Sequence, residues 1–182
     1  MRTFLLLCGL LLAGKPAAHA QSAPAAHAQS APAAWADHTR VLPEKLRGIA
    51  TGLSLTHTPT PVYPQPDPRQ PGHYRWHHAT TIRAEVADLE IVEAGSFIWY
   101  SADGWQPNLR QTPAQFAALF GCPGGLLRQG RAYTFADNDR TAPSADQLYP
   151  GDALWYVLAR DPRTGQLYKR LGLVETEGQF QK

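Results

Sequence analysis

The fold of this chain is constrained most by short apolar runs that recur at close intervals over residues 74–182. Residues 81–86 alternate apolar with polar or charged side chains, a pattern typical of a half-buried β-strand. The alternation slips by one residue at positions 87–88, which predicts a turn or bulge before a second strand at residues 89–92. Together the runs predict a β-rich globular domain of ordinary size over residues 74–182.

Further strands are predicted at residues 96–100, 132–135, 153–159 and 167–175. The run at residues 153–159 is apolar throughout, which indicates a central strand that is covered on both faces. Pro162 and Gly165 follow it and favour a tight turn, so this strand and the next are expected to form an antiparallel hairpin.

One short helix is predicted over about residues 112–120. Thr112 is a good N-cap residue, Gln115 completes a capping box with it, and Gly121 ends the helix. The predicted apolar face consists of Phe116, Leu119 and Phe120. One such helix among these strands predicts an α+β fold, either a mainly antiparallel β-sheet or a small barrel with the helix over an open end.

The first 20 residues have the pattern of a signal peptide for export. Arg2 gives a charged start, residues 4–13 form a short apolar run, and Ala18-His19-Ala20 fits the cleavage site. The motif PAAHAQSA occurs twice in succession, so cleavage after Ala28 is an alternative. Because the apolar run is too short to span a membrane, we expect no transmembrane segment in the mature chain and a periplasmic or extracellular location.

Residues 21–73 are predicted to be a disordered, low-complexity spacer. Small and polar residues dominate its start, and six prolines fall between Pro59 and Pro71. Proline fixes φ and removes an amide donor, so this stretch favours extended polyproline II. The predicted order is therefore a signal peptide, a semi-rigid proline-rich spacer and a globular domain.

Charge excludes two classes of partner. The chain has 17 Lys and Arg against 15 Asp and Glu, and loss of Arg2 and Lys15 with the signal leaves 15 of each. A neutral chain without a basic run argues against nucleic-acid binding, because phosphate neutralisation supplies most of that affinity. Neutrality also argues against electrostatic docking to a membrane.

Cysteine content indicates a domain without intrachain disulfides. Cys8 lies in the signal peptide, so Cys122 alone remains in the mature chain. The domain must then be stabilised by its apolar core. A single exported thiol is either reactive or buried, and we expect Cys122 to be buried as a small apolar residue.

Histidine placement argues against familiar catalytic sites. All seven histidines lie at or before His78, so residues 79–182 cannot form a Ser-His-Asp or Cys-His site by themselves. Metalloprotease, hydrolase, phosphate-loop and dinucleotide-binding motifs are also absent from the sequence. We therefore predict no catalytic residue and no cofactor, with enzymatic activity left open.

Three histidines are nevertheless candidate metal ligands: His73, His77 and His78. Adjacent residues of a strand point to opposite faces, so at most one of His77 and His78 can join His73 in a site. With a nearby glutamate such a site would indicate a cupin-like metal-dependent enzyme.

Aromatic residues give the positive signal for binding. Trp105 and Tyr149 fall in predicted loops, and their large apolar rings with polar edges suit stacking on a glycan or contact with a protein. The leading hypothesis is a non-enzymatic binding or structural domain of the cell envelope or exterior, whose partner is an unknown protein or glycan. The alternatives are a glycan-binding module that uses these two aromatics and the cupin-like enzyme.

Overall fold

A computed structural model describes residues 40–100 and 103–181 of the chain. The predicted signal peptide at residues 1–20, the alternative cleavage point after Ala28 and the spacer up to residue 39 lie outside the described residues. Within the described ranges, no helix is long and apolar enough to cross a membrane.

Most of the described residues lie in β-strands. The strands are β1 (Ala50–Thr51), β2 (Leu53–Thr58), β3 (Gln65–Pro66), β4 (Tyr74–Ala84), β5 (Leu89–Tyr100), β6 (Gly104–Gln111), β7 (Leu126–Leu127), β8 (Ala132–Ala142), β9 (Gly151–Arg160) and β10 (Leu167–Thr176). The α-helix α1 spans Pro113–Phe120, and single 3-10 turns lie at Glu44–Leu46, Pro123–Gly125 and Ala145–Gln147.

The strands form two sheets. In the larger sheet the order is β1-β10-β9-β5-β6, and β7 pairs with the start of β5. In the smaller sheet β4 is central, with β2 and β3 on one edge and β8 on the other. Of the paired named strands, β1 and β10 run parallel and the others antiparallel. The predicted class, mainly antiparallel sheet with one short helix, is confirmed.

Local signals read from the sequence explain the helix and one hairpin. The amide of Gln115 donates to Thr112 Oγ1 at 3.3 Å, and the amide of Thr112 donates to Gln115 Oε1 at 2.9 Å, which completes the capping box. Gly165 has a φ of 74°, and its amide donates to the carbonyl of Asp161 at 2.9 Å. This turn joins β9 to β10 as predicted.

Two apolar cores cover the larger sheet on both faces. The main core lies between the sheets, where Trp155 and Val157 of β9 meet residues of the smaller sheet and of α1. The second core covers the outer face, where Leu154 and Tyr156 of β9 meet Leu46. The predicted role of β9 as a central strand is thereby confirmed. Cys122 is likewise fully buried in the main core, and burial raises the pKa of its thiol.

The predicted domain boundary at Tyr74 is wrong, because residues 40–73 belong to the fold. Strand β2 pairs along its length with β4, and its Leu53 and Leu55 enter the main core. The prolines do not oppose this pairing, because they follow β2 or lie at the short edge strand β3. The proline-rich composition belongs to the connection after β2, and it led to the wrong assignment of β2 to the spacer.

Three strand assignments also change. The two runs predicted within residues 89–100 are one strand, β5, whose register with β9 shifts at a bulge between Ile91 and Glu93. Strand β8 is longer than the predicted strand at residues 132–135 and extends to Ala142. Trp105 lies in β6, not in a loop.

Candidate functional site

The structure does not bring the three predicted metal ligands together. His77 lies on the outer face of β4, with Nδ1 2.7 Å from Asp139 Oδ1, whereas His78 points inward and is only 5% exposed. His73 precedes the strand. Among residues 40–100 and 103–181, no group of three or more His, Cys, Asp or Glu side chains is placed to hold a metal ion.

The two predicted aromatic ligand residues lie apart. Tyr149 is 62% exposed in the loop before β9 and borders a cavity between the sheets. Trp105 instead packs against the second core, edge-on to Trp99 with ring centroids 5.2 Å apart. Tyr149 therefore remains a candidate for the ligand surface, and Trp105 is a core-edge residue.

The cavity beside Tyr149 has a volume of about 610 Å³, within the usual range for small-molecule sites. Trp155 and Val174 contribute apolar surface from the larger sheet. His78 and Asn138 contribute polar groups from the smaller sheet. The cavity thus combines an aromatic wall with buried hydrogen-bonding side chains.

A small polar cluster lies behind this wall, inside the sandwich. Thr80 Oγ1 accepts a hydrogen bond from Asn138 Nδ2 at 2.8 Å and lies 2.9 Å from His57 Nδ1. Strand β10 has Gly172 opposite His57, where a Cβ would fall 2.6 Å from Nε2. Among the described residues, His57 Nε2 and both ring nitrogens of His78 have no hydrogen-bond partner. Because buried polar groups are normally paired, the unpartnered ring of His78 marks this wall of the cavity as polar, although its nitrogens are themselves buried.

Burial keeps both histidines neutral near physiological pH. The pKa of His57 falls from 6.5 to about 4, mainly because burial penalises the charged ring and secondarily because of charge on His78. Burial also lowers the pKa of His78, and a contact of the ring with the backbone of Trp76, which falls outside hydrogen-bond geometry, opposes this only in part. A neutral imidazole offers one donor and one acceptor, so His78 can hydrogen-bond a hydroxyl group in either direction.

Arg140 supplies a positive charge at the cavity. Its Cζ lies 4.5 Å from the centre of the Trp76 ring, and its Nη1 donates to Thr176 Oγ1 at 2.9 Å. Burial lowers the pKa of the guanidinium, although it stays protonated at any physiological pH. No carboxylate of the described residues forms a salt bridge with it.

The acidic residue of the cavity is already paired. Asp139 accepts from Arg69 Nη2 at 2.7 Å, lies 2.7 Å from His77 Nδ1, and has Arg75 Nη1 3.5 Å away. Burial raises the pKa of this carboxyl group, but the hydrogen bonds outweigh burial and leave the pKa below its usual value. Asp139 is therefore ionised and compensated, whereas the charge of Arg140 is not.

A second cavity of about 320 Å³ lies on the outer face of the larger sheet. Three of its lining side chains are already paired, since Lys45 Nζ, Arg110 Nε and Tyr156 OH all hydrogen-bond the carboxylate of Glu93. Burial raises the pKa of Glu93, but these bonds outweigh it and lower the pKa to about 2. These bonds hold Lys45 against the larger sheet. They leave fewer free hydrogen-bonding groups for a ligand in this cavity than in the cavity between the sheets.

Sequence reasoning missed His57, Asn138 and Arg140. The first lies in the segment assigned to the spacer, and the other two lie in the part of β8 beyond the predicted strand at residues 132–135. The alternation of Leu53, Leu55 and His57 was the signal that could have placed His57 on an inward face.

No known protein family and no curated protein matches the chain. Among solved structures, the chain resembles a Bordetella pertussis protein designated ApaA, with 14% sequence identity and a TM-score of 0.43. The match covers 70% of this chain and 97% of that protein. A similarity at this level supports no conclusion about function, so the function must be argued from the site itself.

Proposed function

We propose that this protein is an exported, non-enzymatic binding domain of the cell envelope or exterior, and that it holds a saccharide between its two sheets. One observation carries the proposal: buried His78, with two unpartnered ring nitrogens, shares a cavity with the indole of Trp155. A buried imidazole without partners is costly in an empty apolar interior and useful where a bound molecule supplies hydroxyl groups.

The other walls of the cavity support a saccharide over an apolar ligand. Ser96, Asn108 and Asn138 bring short hydrogen-bonding side chains to the same space. Tyr149 and Trp155 bring aromatic rings, which have apolar faces and polar edges. A sugar ring likewise has C–H faces, which can stack on the aromatic rings, and a rim of hydroxyls, which can hydrogen-bond the polar side chains.

Export is proposed on the sequence pattern of residues 1–20. We expect the intact mass of the exported protein to correspond to a chain that begins at Gln21 or Gln29. Mass spectrometry of protein recovered outside the cytoplasm tests this. A mature protein that retains Met1 would show that the segment is not a cleaved signal peptide.

Replacement of Tyr149 tests the cavity. Because Tyr149 is 62% exposed, we expect Tyr149→Ala to leave the melting temperature nearly unchanged and to weaken saccharide binding by about tenfold or more. Binding is measured by tryptophan fluorescence, which Trp155 reports from inside the cavity, against a panel of neutral and acidic mono- and oligosaccharides.

Phe180→Ala is the matched control, because Phe180 is an exposed aromatic that packs on Tyr74 and does not line the cavity. This variant is expected to bind as the unaltered protein does. If no saccharide of the panel binds the unaltered protein, the proposed function is wrong.

A further inference from the structure

We infer that the bound saccharide is anionic, with a carboxylate that pairs with the guanidinium of Arg140. This inference rests on the proposed function and names the ligand class of the same cavity. Its starting point is that Arg140 lines the cavity with no carboxylate partner among residues 40–100 and 103–181.

Three other cations of the fold have a carboxylate partner. Arg40 pairs with Asp152, Lys45 pairs with Glu93 at 2.7 Å, and Arg75 lies 3.5 Å from Asp139. A partly buried charge without an opposite charge is unfavourable, because burial removes water without replacing it. Arg140 therefore carries an uncompensated charge on the cavity wall.

The guanidinium is also held in position. The ring of Trp76 supports one face at 4.5 Å, and Thr176 Oγ1 accepts from Nη1 at 2.9 Å. Gly151 keeps the approach open, since a Cβ there would fall 3.3 Å from Nη1. The remaining N–H groups form a planar fork, which matches the two oxygens of a carboxylate.

A uronic acid satisfies the whole arrangement. Its carboxylate would pair with Arg140, and its hydroxyls would meet the neutral ring of His78 and the amide of Asn138. Tyr149 at the rim of the cavity would cover the C–H face of the sugar. A neutral hexose offers the same hydroxyls but leaves the charge of Arg140 uncompensated.

The experiment compares sugars that differ only in this charge. Calorimetric titration of the full chain uses galacturonate against galactose, and glucuronate against glucose. We expect the acid of at least one pair to bind about tenfold tighter than its neutral partner, as a charge-assisted hydrogen-bond pair predicts, and the difference to shrink as salt is raised.

Substitutions assign this preference to one side chain. Arg140→Gln should lose the preference for the acid, so that the acid and its neutral partner bind this variant with equal affinity, while Arg140→Lys should keep part of the preference because the charge remains without the fork. Arg170→Gln is the control, since it removes the same charge from an exposed position of β10 outside the cavity. Arg140→Lys also serves if Arg140→Gln fails to fold.

Three results would overturn the inference. Equal affinity for acid and neutral sugars would leave the proposed saccharide site in place and exclude an anionic ligand. An acid preference that survives in Arg140→Gln would assign the charge recognition to another residue. Absence of binding to any sugar, acidic or neutral, would overturn the proposed function together with this inference.

Discussion

A chain that begins at Tyr74 is expected to be unfolded, whereas a chain that begins at Arg40 is expected to fold like the full protein. The shorter chain lacks β2, which pairs with residues 79–84 of β4. It also lacks the buried side chains of Leu46, Leu53, Leu55 and Val62. Each such side chain contributes about 2 kcal/mol on burial, so their combined loss is on the order of the whole stability of a small domain, about 5–15 kcal/mol.

Urea unfolding followed by circular dichroism measures the difference. The chain that begins at Arg40 is the matched control, because it retains every described residue up to Gln181. It should show the cooperative transition of the full protein. A cooperative transition in the chain that begins at Tyr74 would mean that β4 does not depend on β2.

The helix α1 and the turn between β9 and β10 could be predicted from the sequence, because residues close together in the chain determine them. The capping box at Thr112 and the turn at Gly165 each act over a few residues, and both were predicted correctly. The central position of β9 followed from its composition, because a strand covered on both faces has apolar residues at every position. These elements need no knowledge of their partners.

The site depends on which strand pairs with which, and this information is not local. Alternation backward from Ile82 places Thr80 and His78 on the inward face of β4, so the sequence could have distinguished His78 from His77. It could not bring His57 beside them. That contact needs the pairing of β2 with β4 across a proline-rich connection, and pairing is decided by the packed core.

The orientation of Arg140 on β8 was harder to predict from the sequence, because the strand register changes before this residue. The pairing of β4 with β8 shifts between His78 and Thr80, so alternation counted from Tyr133 does not carry through to Arg140. Bulges often occur beside binding sites, where they redirect a side chain.

Acidification is expected to destabilise the protein well above the pH at which carboxylates titrate. His57 has a pKa of about 4 in the folded protein and about 6.5 when exposed, so the unfolded chain binds the proton more tightly. Its contribution to stability is therefore complete above about pH 6.5 and is lost as the pH falls toward 4. Between about pH 7.5 and about pH 5 the free energy of unfolding should fall by about 2 kcal/mol from this residue alone.

Urea unfolding at those two pH values tests the prediction. Carboxylates contribute little to the difference, because they titrate at lower pH. Glu93, whose pKa is lowered to about 2, loses its contribution only as the pH falls below about 4.5. His57→Gln should remove the part of the loss that comes from His57 and leave the part that comes from His78, whose pKa burial also lowers, because the amide keeps polar contact with Thr80 but does not titrate. His73→Gln, which changes a partly exposed histidine ahead of β4, should keep the loss. Equal pH dependence in His57→Gln and the unaltered protein would show that burial of this imidazole does not set the acid sensitivity of the fold.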